Sequence, residues 1–319
     1  MKWKFLFFLI LNLFLLNSEA QYPVKSIRML LAFPPGGPTD INARVFAQKL
    51  SEQTGQQVVV DNKPGAGGNL AATEAAKAPA DGYTIFYNTS AITIAPALYS
   101  SIQYDPLKDY APVALTATVP LVLAVNPGLP VKNLQEFVAY AKANQGKLNY
   151  ASSGTGTITH LAGALFAAQL GLQIQHIPYK GSAPALVDVV GGQTQMMIDT
   201  ISTVLPYARD NRLRPLAVAM PRRLAVLPEV PTLEEAANLP GFEMSAWQGI
   251  VVPAATPKDV VARLNAEVNR AVQNPDLRAR LAAGGSEPLG GTSEHYAAYI
   301  RSELARWTKV VREAGAKAD

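Results

Sequence analysis

Short β-branched or apolar runs alternate with amphipathic helical patterns along nearly the whole chain, and glycine, proline and asparagine mark the turns between them. That alternation constrains the fold more than any other feature, because strands separated by helices pair in parallel and need helices over both faces of the sheet. Residues 27–33 read as a buried strand. The next segment separates apolar Ile41 and Val45 from Arg44, Gln48 and Lys49 at helical spacing as far as Gly55. Strands are expected at 57–60 and 83–88, with a helix at 69–77 between them. The apolar run 120–125, closed by Asn126-Pro127-Gly128, opens a second series: helix 134–142, strand 148–151, helix 158–170, and strands at 173–177, 195–198 and 213–219. Helices starting near Ser182 and Thr203 separate the last three. A strand at 245–252 returns the chain to the first series, and helices follow at 260–272, 276–283 and 293–313. Before them, Thr256-Pro257-Lys258-Asp259 pairs an N-cap hydroxyl with proline at the first helical position and an acid at the third. The fold class is therefore α/β in two domains, 21–124 together with 246–319, and 125–245.

Lys2 and Lys4 precede an apolar run over 5–16 broken only by Asn12, and the small residues Ser18 and Ala20 follow. This is the three-part pattern of a cleavable signal peptide over 1–20, the run being well short of the roughly 20 residues that anchor a helix in a bilayer. The sequence has no cysteine, which removes lipidation at a new N-terminus, disulfides, thiolate metal sites and cysteine nucleophiles together. A periplasmic, diffusible protein that is not a lipoprotein is expected. The formal charge of +4 falls to +3 once Lys2, Lys4 and Glu19 leave with the leader, a balance that implies no nucleic-acid partner.

Two strand–turn–helix junctions, one in each half, carry the binding chemistry. They are Phe33-Pro34-Pro35-Gly36-Gly37-Pro38-Thr39-Asp40 and Ala151-Ser152-Ser153-Gly154-Thr155-Gly156-Thr157. A glycine-rich turn that opens a helix leaves backbone N–H groups unpaired at the carboxyl edge of the sheet, where anions bind. Phe33, Pro35, Gly36, Gly37 and Thr39 are candidates on the first turn, and Ser153, Gly154, Thr155, Gly156 and Thr157 on the second. Ser90, at the turn that ends strand 83–88, is placed with them. Asp40, in the first helical turn, either competes with an anionic ligand or holds water for it. Neither turn contains lysine or arginine, so the chemistry offered is directional hydrogen bonding to a carboxylate.

No enzyme is expected. His160, His176 and His295 show no metal-binding spacing, so no metal is expected. Ser153, His176 and Asp199 can be drawn as a hydrolase triad, the basis of a secreted ester hydrolase reading, but no G-x-S-x-G elbow surrounds any serine. Gly154-Thr155-Gly156 lacks the third glycine of a dinucleotide fingerprint and no phosphate-binding P-loop occurs, so no cofactor is expected.

Several motifs resemble the Bug-type receptors, the substrate-binding proteins of tripartite tricarboxylate transport systems. They include Phe33-Pro34-Pro35-Gly36-Gly37, Asn62-Lys63-Pro64-Gly65-Ala66-Gly67-Gly68-Asn69, Asp81-Gly82-Tyr83-Thr84, Leu148-Asn149-Tyr150-Ala151-Ser152-Ser153-Gly154, Pro178-Tyr179-Lys180-Gly181 and Leu227-Pro228-Glu229-Val230-Pro231-Thr232. The resemblance implies a type II periplasmic-binding-protein fold, two α/β domains with a ligand cleft between them. It adds Tyr179, Lys180, Gly181 and Asp199 as cleft residues. It further implies a monomer that takes a small carboxylate (dicarboxylate, amino acid or aromatic acid) and serves the membrane permease subunits of a tripartite transporter. An adaptor presenting its bound form to a membrane sensor kinase would share the same site.

Overall fold

In the computed structural model, which describes residues 22–316, the first apolar run forms β1 (Ile27–Leu31) and leads into α1 (Pro38–Thr54). β2 (Val58–Asn62), α2 (Asn69–Ala76) and β3 (Thr84–Thr89) complete a parallel unit with β1 at its centre. The leader expected over 1–20 lies outside the described residues. Ile27, Met29 and Leu31 face one core with Phe46 and Leu50 of α1, whereas Leu30 faces a second core with Phe86 and Trp247. A run apolar at all but one position suits a parallel strand covered on both faces, and the exception, Arg28, is paired with Asp61 and Glu74.

After α3 (Ala91–Leu98) the chain enters β4 (Tyr110–Val125), which serves both halves of the molecule. Its first part pairs antiparallel with β9 (Ser245–Pro253), from Tyr110 opposite Pro253 to Pro120 opposite Ser245. Its last part, from Leu121 to Val125, pairs with β7 (Met196–Thr200) and, over Val122–Val125, with β8 (Arg214–Val218). Sequence patterning placed a strand only over 120–125. Pro112, Pro120 and the small residues between them hide the earlier part, and the ladder accommodates them with register shifts between Pro112 and Ala114 and between Leu115 and Ala117. α3 escaped notice for a similar reason, since Pro96 lies inside it.

The second half runs through α4 (Leu134–Ala143), β5 (Leu148–Ser152), α5 (Ile158–Leu170), β6 (Ile174–Pro178), α6 (Ser182–Val190), β7, α7 (Ile201–Arg209) and β8. The resulting strand order is β2-β1-β3-β9-β4-β7-β5-β6, with β8 and a short β10 (Glu287–Gly290) also bonded to β4. Two further features were not expected: β10, and the short α8 (Leu233–Ala237), which opens with a Thr232–Glu235 capping box. The helix expected from 260 is α9 (Lys258–Gln273). Its N-cap is Pro257, because the Thr256 hydroxyl turns back to donate to the Pro253 carbonyl at 2.7 Å.

α10 (Pro275–Ala283) and α11 (Ser293–Ala314) end the described chain. α11 buries Tyr296 and Ile300 beside Trp247 in the first half and Trp307 and Val311 in the core of the second. Between these groups, Glu303 is buried and its Oε2 accepts from both indoles, Trp247 Nε1 at 2.8 Å and Trp307 Nε1 at 2.8 Å. One carboxylate thus ties α11 to β9. Truncating it strands two buried N–H donors, so Glu303→Ala is expected to lower unfolding stability by about 3–5 kcal/mol. Glu303→Gln, which keeps an acceptor, is expected to cost clearly less, and urea unfolding midpoints of the two variants check this.

Candidate functional site

A cavity of about 260 Å³ lies between the two halves, and five helices begin at its wall. The N-caps of α1, α3, α5, α6 and α7 are Gly37, Ser90, Thr157, Gly181 and Thr200, and all five residues line it. Each helix follows a strand: β1, β3, β5, β6 and β7 respectively. Their carboxyl ends therefore converge on one crevice, as open α/β sheets arrange their sites. In α1, α6 and α7 no side chain caps the first turn, so the amides there stay available, whereas in α3 the Thr89 hydroxyl accepts from the Ala91 amide at 3.3 Å. Aligned amides and the positive ends of the helix dipoles favour an anion at this point.

Among the described residues, Lys180 and Asp199 are the only ionisable ones that line the cavity. Lys180 is exposed at the rim. Asp199 is fully buried: its Oδ1 accepts from the Thr200 amide at 2.7 Å, while its Oδ2 has no hydrogen-bond partner. Burial pushes its carboxyl up to about 6, against opposing pulls from the Ser182 hydroxyl and the Thr200 amide.

Of the residues expected at the site, Phe33, Pro35, Gly37, Thr39, Ser90, Ser153, Thr157, Lys180, Gly181 and Asp199 line this cavity. Asp40 does not. It folds the first turn onto itself, accepting from the Gly36 amide at 3.0 Å, Arg44 Nε at 2.9 Å and Asn62 Nδ2 at 3.0 Å. Burial alone would raise its carboxyl, but these bonds, that from Arg44 foremost, outweigh it and hold the group below the usual carboxylate range. Asp40 is therefore an internal brace for the turn and does not reach the cavity. Gly36 sits on the outer side of the same turn.

Gly154, Thr155 and Tyr179 border a neighbouring cavity of about 620 Å³ instead, facing the Gly65-Ala66-Gly67-Gly68 turn. The Tyr179 hydroxyl is directed away, to Asp188 Oδ2 at 2.6 Å. Gly156 lines neither cavity and packs beneath Tyr99, where φ is +81° and an added Cβ would stand 2.8 Å from the ring. The rims of the two halves touch near here, through Tyr99 Oη donating to the Thr155 carbonyl at 3.0 Å.

Ser153, Thr157 and Thr159 form a hydroxyl cluster at the second turn, with Ser153 and Thr157 each 2.9 Å from Thr159 Oγ1. Behind it the rings of His160 and His176 stack at 4.0 Å. Burial lowers both, His160 to about 4 and His176 to about 3, so the pair is uncharged at neutral pH. His176 Nε2 bonds Ser152 Oγ at 2.6 Å, which also turns the Ser152 hydroxyl away from the cavity, and Ser153 pairs with Thr159. The Ser153–His176–Asp199 triad drawn from sequence is thus not assembled.

The cavity wall also contains residues that sequence reasoning passed over. Thr89, Ser182 and Thr200 are neighbours of expected residues, and Thr159 is the second residue of α5. Gln248 carried no signal, because it reaches the site on the crossing strand β9. Its Oε1 is occupied by Asn42 Nδ2 at 2.9 Å and Tyr87 Oη at 3.0 Å, leaving only its NH₂ to offer.

Residues 42–316 match the sequence model of the tripartite tricarboxylate transporter family receptor, TctC. The chain belongs to this receptor family. It is 39% identical over 302 residues to Protein BugT of Bordetella pertussis, covering 94% of this chain and 92% of that protein. Among solved structures it is similar to R. palustris Rpa4515 with adipate, with 37% identity and a TM-score of 0.89 over 92% of this chain and 98% of that one. It is also similar to MatC (Rpa3494) of Rhodopseudomonas palustris with bound malate, with 35% identity and a TM-score of 0.86 over 91% and 100% of the two chains. The Bug-type resemblance and the two-domain α/β binding-protein fold read from the sequence therefore hold for this receptor.

Gly37 provides a test of the cavity that leaves the scaffold intact. Its backbone is ordinary (φ −80°), and an added Cβ would meet nothing closer than the Pro34 carbonyl at 3.7 Å. Gly37→Val is expected to keep its thermal midpoint within a few degrees while weakening ligand binding by tenfold or more. Gly156→Val is expected to behave in the opposite order, losing about 2–4 kcal/mol of stability first. Paired thermal-shift and calorimetric titrations separate the two.

Proposed function

We propose that this receptor captures a small organic carboxylate in the periplasm and hands it to the membrane permease subunits of a tripartite transporter. The halves 21–124 with 246–319 and 125–245 close over the acid. Export by the leader expected over 1–20 fits that location. The observation that carries the reading is the convergence of five helix N-termini on one cavity with no arginine among the described residues that line it. Such a site holds a compact anion by amides and hydroxyls. The adipate and malate named for Rpa4515 and MatC are acids of this kind.

The energetics are adequate. About four charge-assisted hydrogen bonds at ~1.5–3 kcal/mol each, less an association cost of ~4 kcal/mol, allow affinities up to the micromolar range. Closure that excludes water keeps those bonds strong.

Calorimetric titration with organic acids and amino acids, each beside its primary amide, tests the proposal. An acid is expected to bind while its amide, of the same shape but uncharged, binds at least tenfold more weakly. Binding of an uncharged solute with no acid bound would overturn the carboxylate reading.

A further inference from the structure

Asp199 is an anomaly in a site built for anions. A carboxylate buried at the wall of the cavity repels an incoming carboxylate, and no cation compensates from below. The titratable groups on the elements packed about β7 are Tyr110 on β4, Tyr150 on β5, His160 on α5, Asp188 on α6, and Tyr207 and Arg209 on α7. No hydrogen bond or ion pair joins any of these to Asp199, and the groups that act on it most are the hydroxyls of Ser182, Thr200 and Thr203 and the Thr200 amide. Opposite Asp199 in the β4 ladder stands apolar Val122. The one other charge at the cavity, Lys180, is exposed at its rim.

The two carboxyl oxygens of Asp199 differ in a way that resolves the conflict. Oδ1 accepts the Thr200 N–H at 2.7 Å, so a proton on that oxygen would oppose the amide. Oδ2, unpartnered in a cavity-lining side chain, is the free position for a proton. We propose that Asp199 binds the ligand's carboxylate as the neutral acid, donating a hydrogen bond from Oδ2, so that each capture event takes one proton from solvent. This rests on the carboxylate reading above and assigns a direct binding role to Asp199. One O–H bond forms at Oδ2, the ligand carboxylate stays ionised, and the pair shares a single negative charge, as two carboxyls brought together favour when the nearest cation, Lys180, stands at the exposed rim.

The carboxyl of the free protein is already pushed up to about 6, so the ligand has only to complete the shift. A raised value in the bound state means that the complex binds more protons than the free receptor. Affinity is then level below the free value and falls above it, by up to about tenfold per pH unit. The Lys180 ammonium is the competing partner for the acid. If it were the principal one, Asp199 would stay ionised and affinity would be flat across this range.

The test is titration of the full mature receptor with adipate and malate at about pH 8, in buffers of different ionisation enthalpy, repeated at about pH 5. Uptake of about one proton per acid bound, and tighter binding at the lower pH, are expected. Asp199→Asn keeps the shape and places a permanent donor where Oδ2–H would be. It is expected to bind with the low-pH affinity of the native receptor at both pH values and to take up no proton. Tight binding without proton uptake, or loss of binding in a folded Asp199→Asn protein, overturns this proposal and leaves the carboxylate reading standing. If neither these acids nor any of the acid panel binds at either pH, both fall together.

Discussion

The antiparallel ladder between β4 and β9 is the element on which the rest of the molecule depends. β4 places Val113, Ala114 and Ala117 in one core of the first half, Tyr110 and Leu115 in the other, and Val119 to Val125 in the core of the second. β9 runs beside it and contributes Trp247 and Gln248 near the point where partners change. Two strands that pass between halves hold them in register but leave a narrow connection, the arrangement that hinge closure needs. α11 adds a third tie, through Glu303 between the indoles of Trp247 and Trp307.

From that axis the site follows by topology. Strands β1, β3, β5, β6 and β7 end at the crevice and pass into helices that start at its wall, and in α1, α6 and α7 the first turn carries no side-chain cap. On the proposed carboxylate reading, an anion would be held without an arginine among the described lining residues, by amides from several helices and hydroxyls from Thr39, Ser90, Ser153 and Thr157. The internal bonds of Asp40 and of the Ser153–Thr157–Thr159 cluster fix these turns before any ligand arrives. A preorganised site of this kind loses less entropy on binding than one that must be ordered by the ligand.

The α/β class and most strands and helices were legible because the parallel strands are short, mainly apolar or β-branched runs set off by turn residues and separated by helical patterns. The two glycine-rich turns at β1–α1 and β5–α5 were legible as well, since a turn at the carboxyl edge needs glycine. What escaped detection lies where the sequence signal is weak. The first part of β4 carries Pro112 and alternates small residues, and α3 contains Pro96. Gln248 reaches the cavity only because β9 crosses between halves, which no local pattern announces. Asp40 was legible as a first-turn acid, but its partner Asn62 is supplied by β2, so its bracing role depends on tertiary structure. Asp199 came from family likeness, and the asymmetry between its two oxygens is visible only with the Thr200 amide in place.

The central claim, that an acid is held between two halves that close about β4 and β9, is tested most directly by a distance across them. The sequence has no native cysteine, so two can be placed at exposed Val59 on β2 and exposed Val187 on α6 and spin-labelled. A saturating acid is predicted to shorten and narrow the inter-label distance distribution, by several ångström for a hinge of this kind. An unchanged distribution at full occupancy would contradict the account.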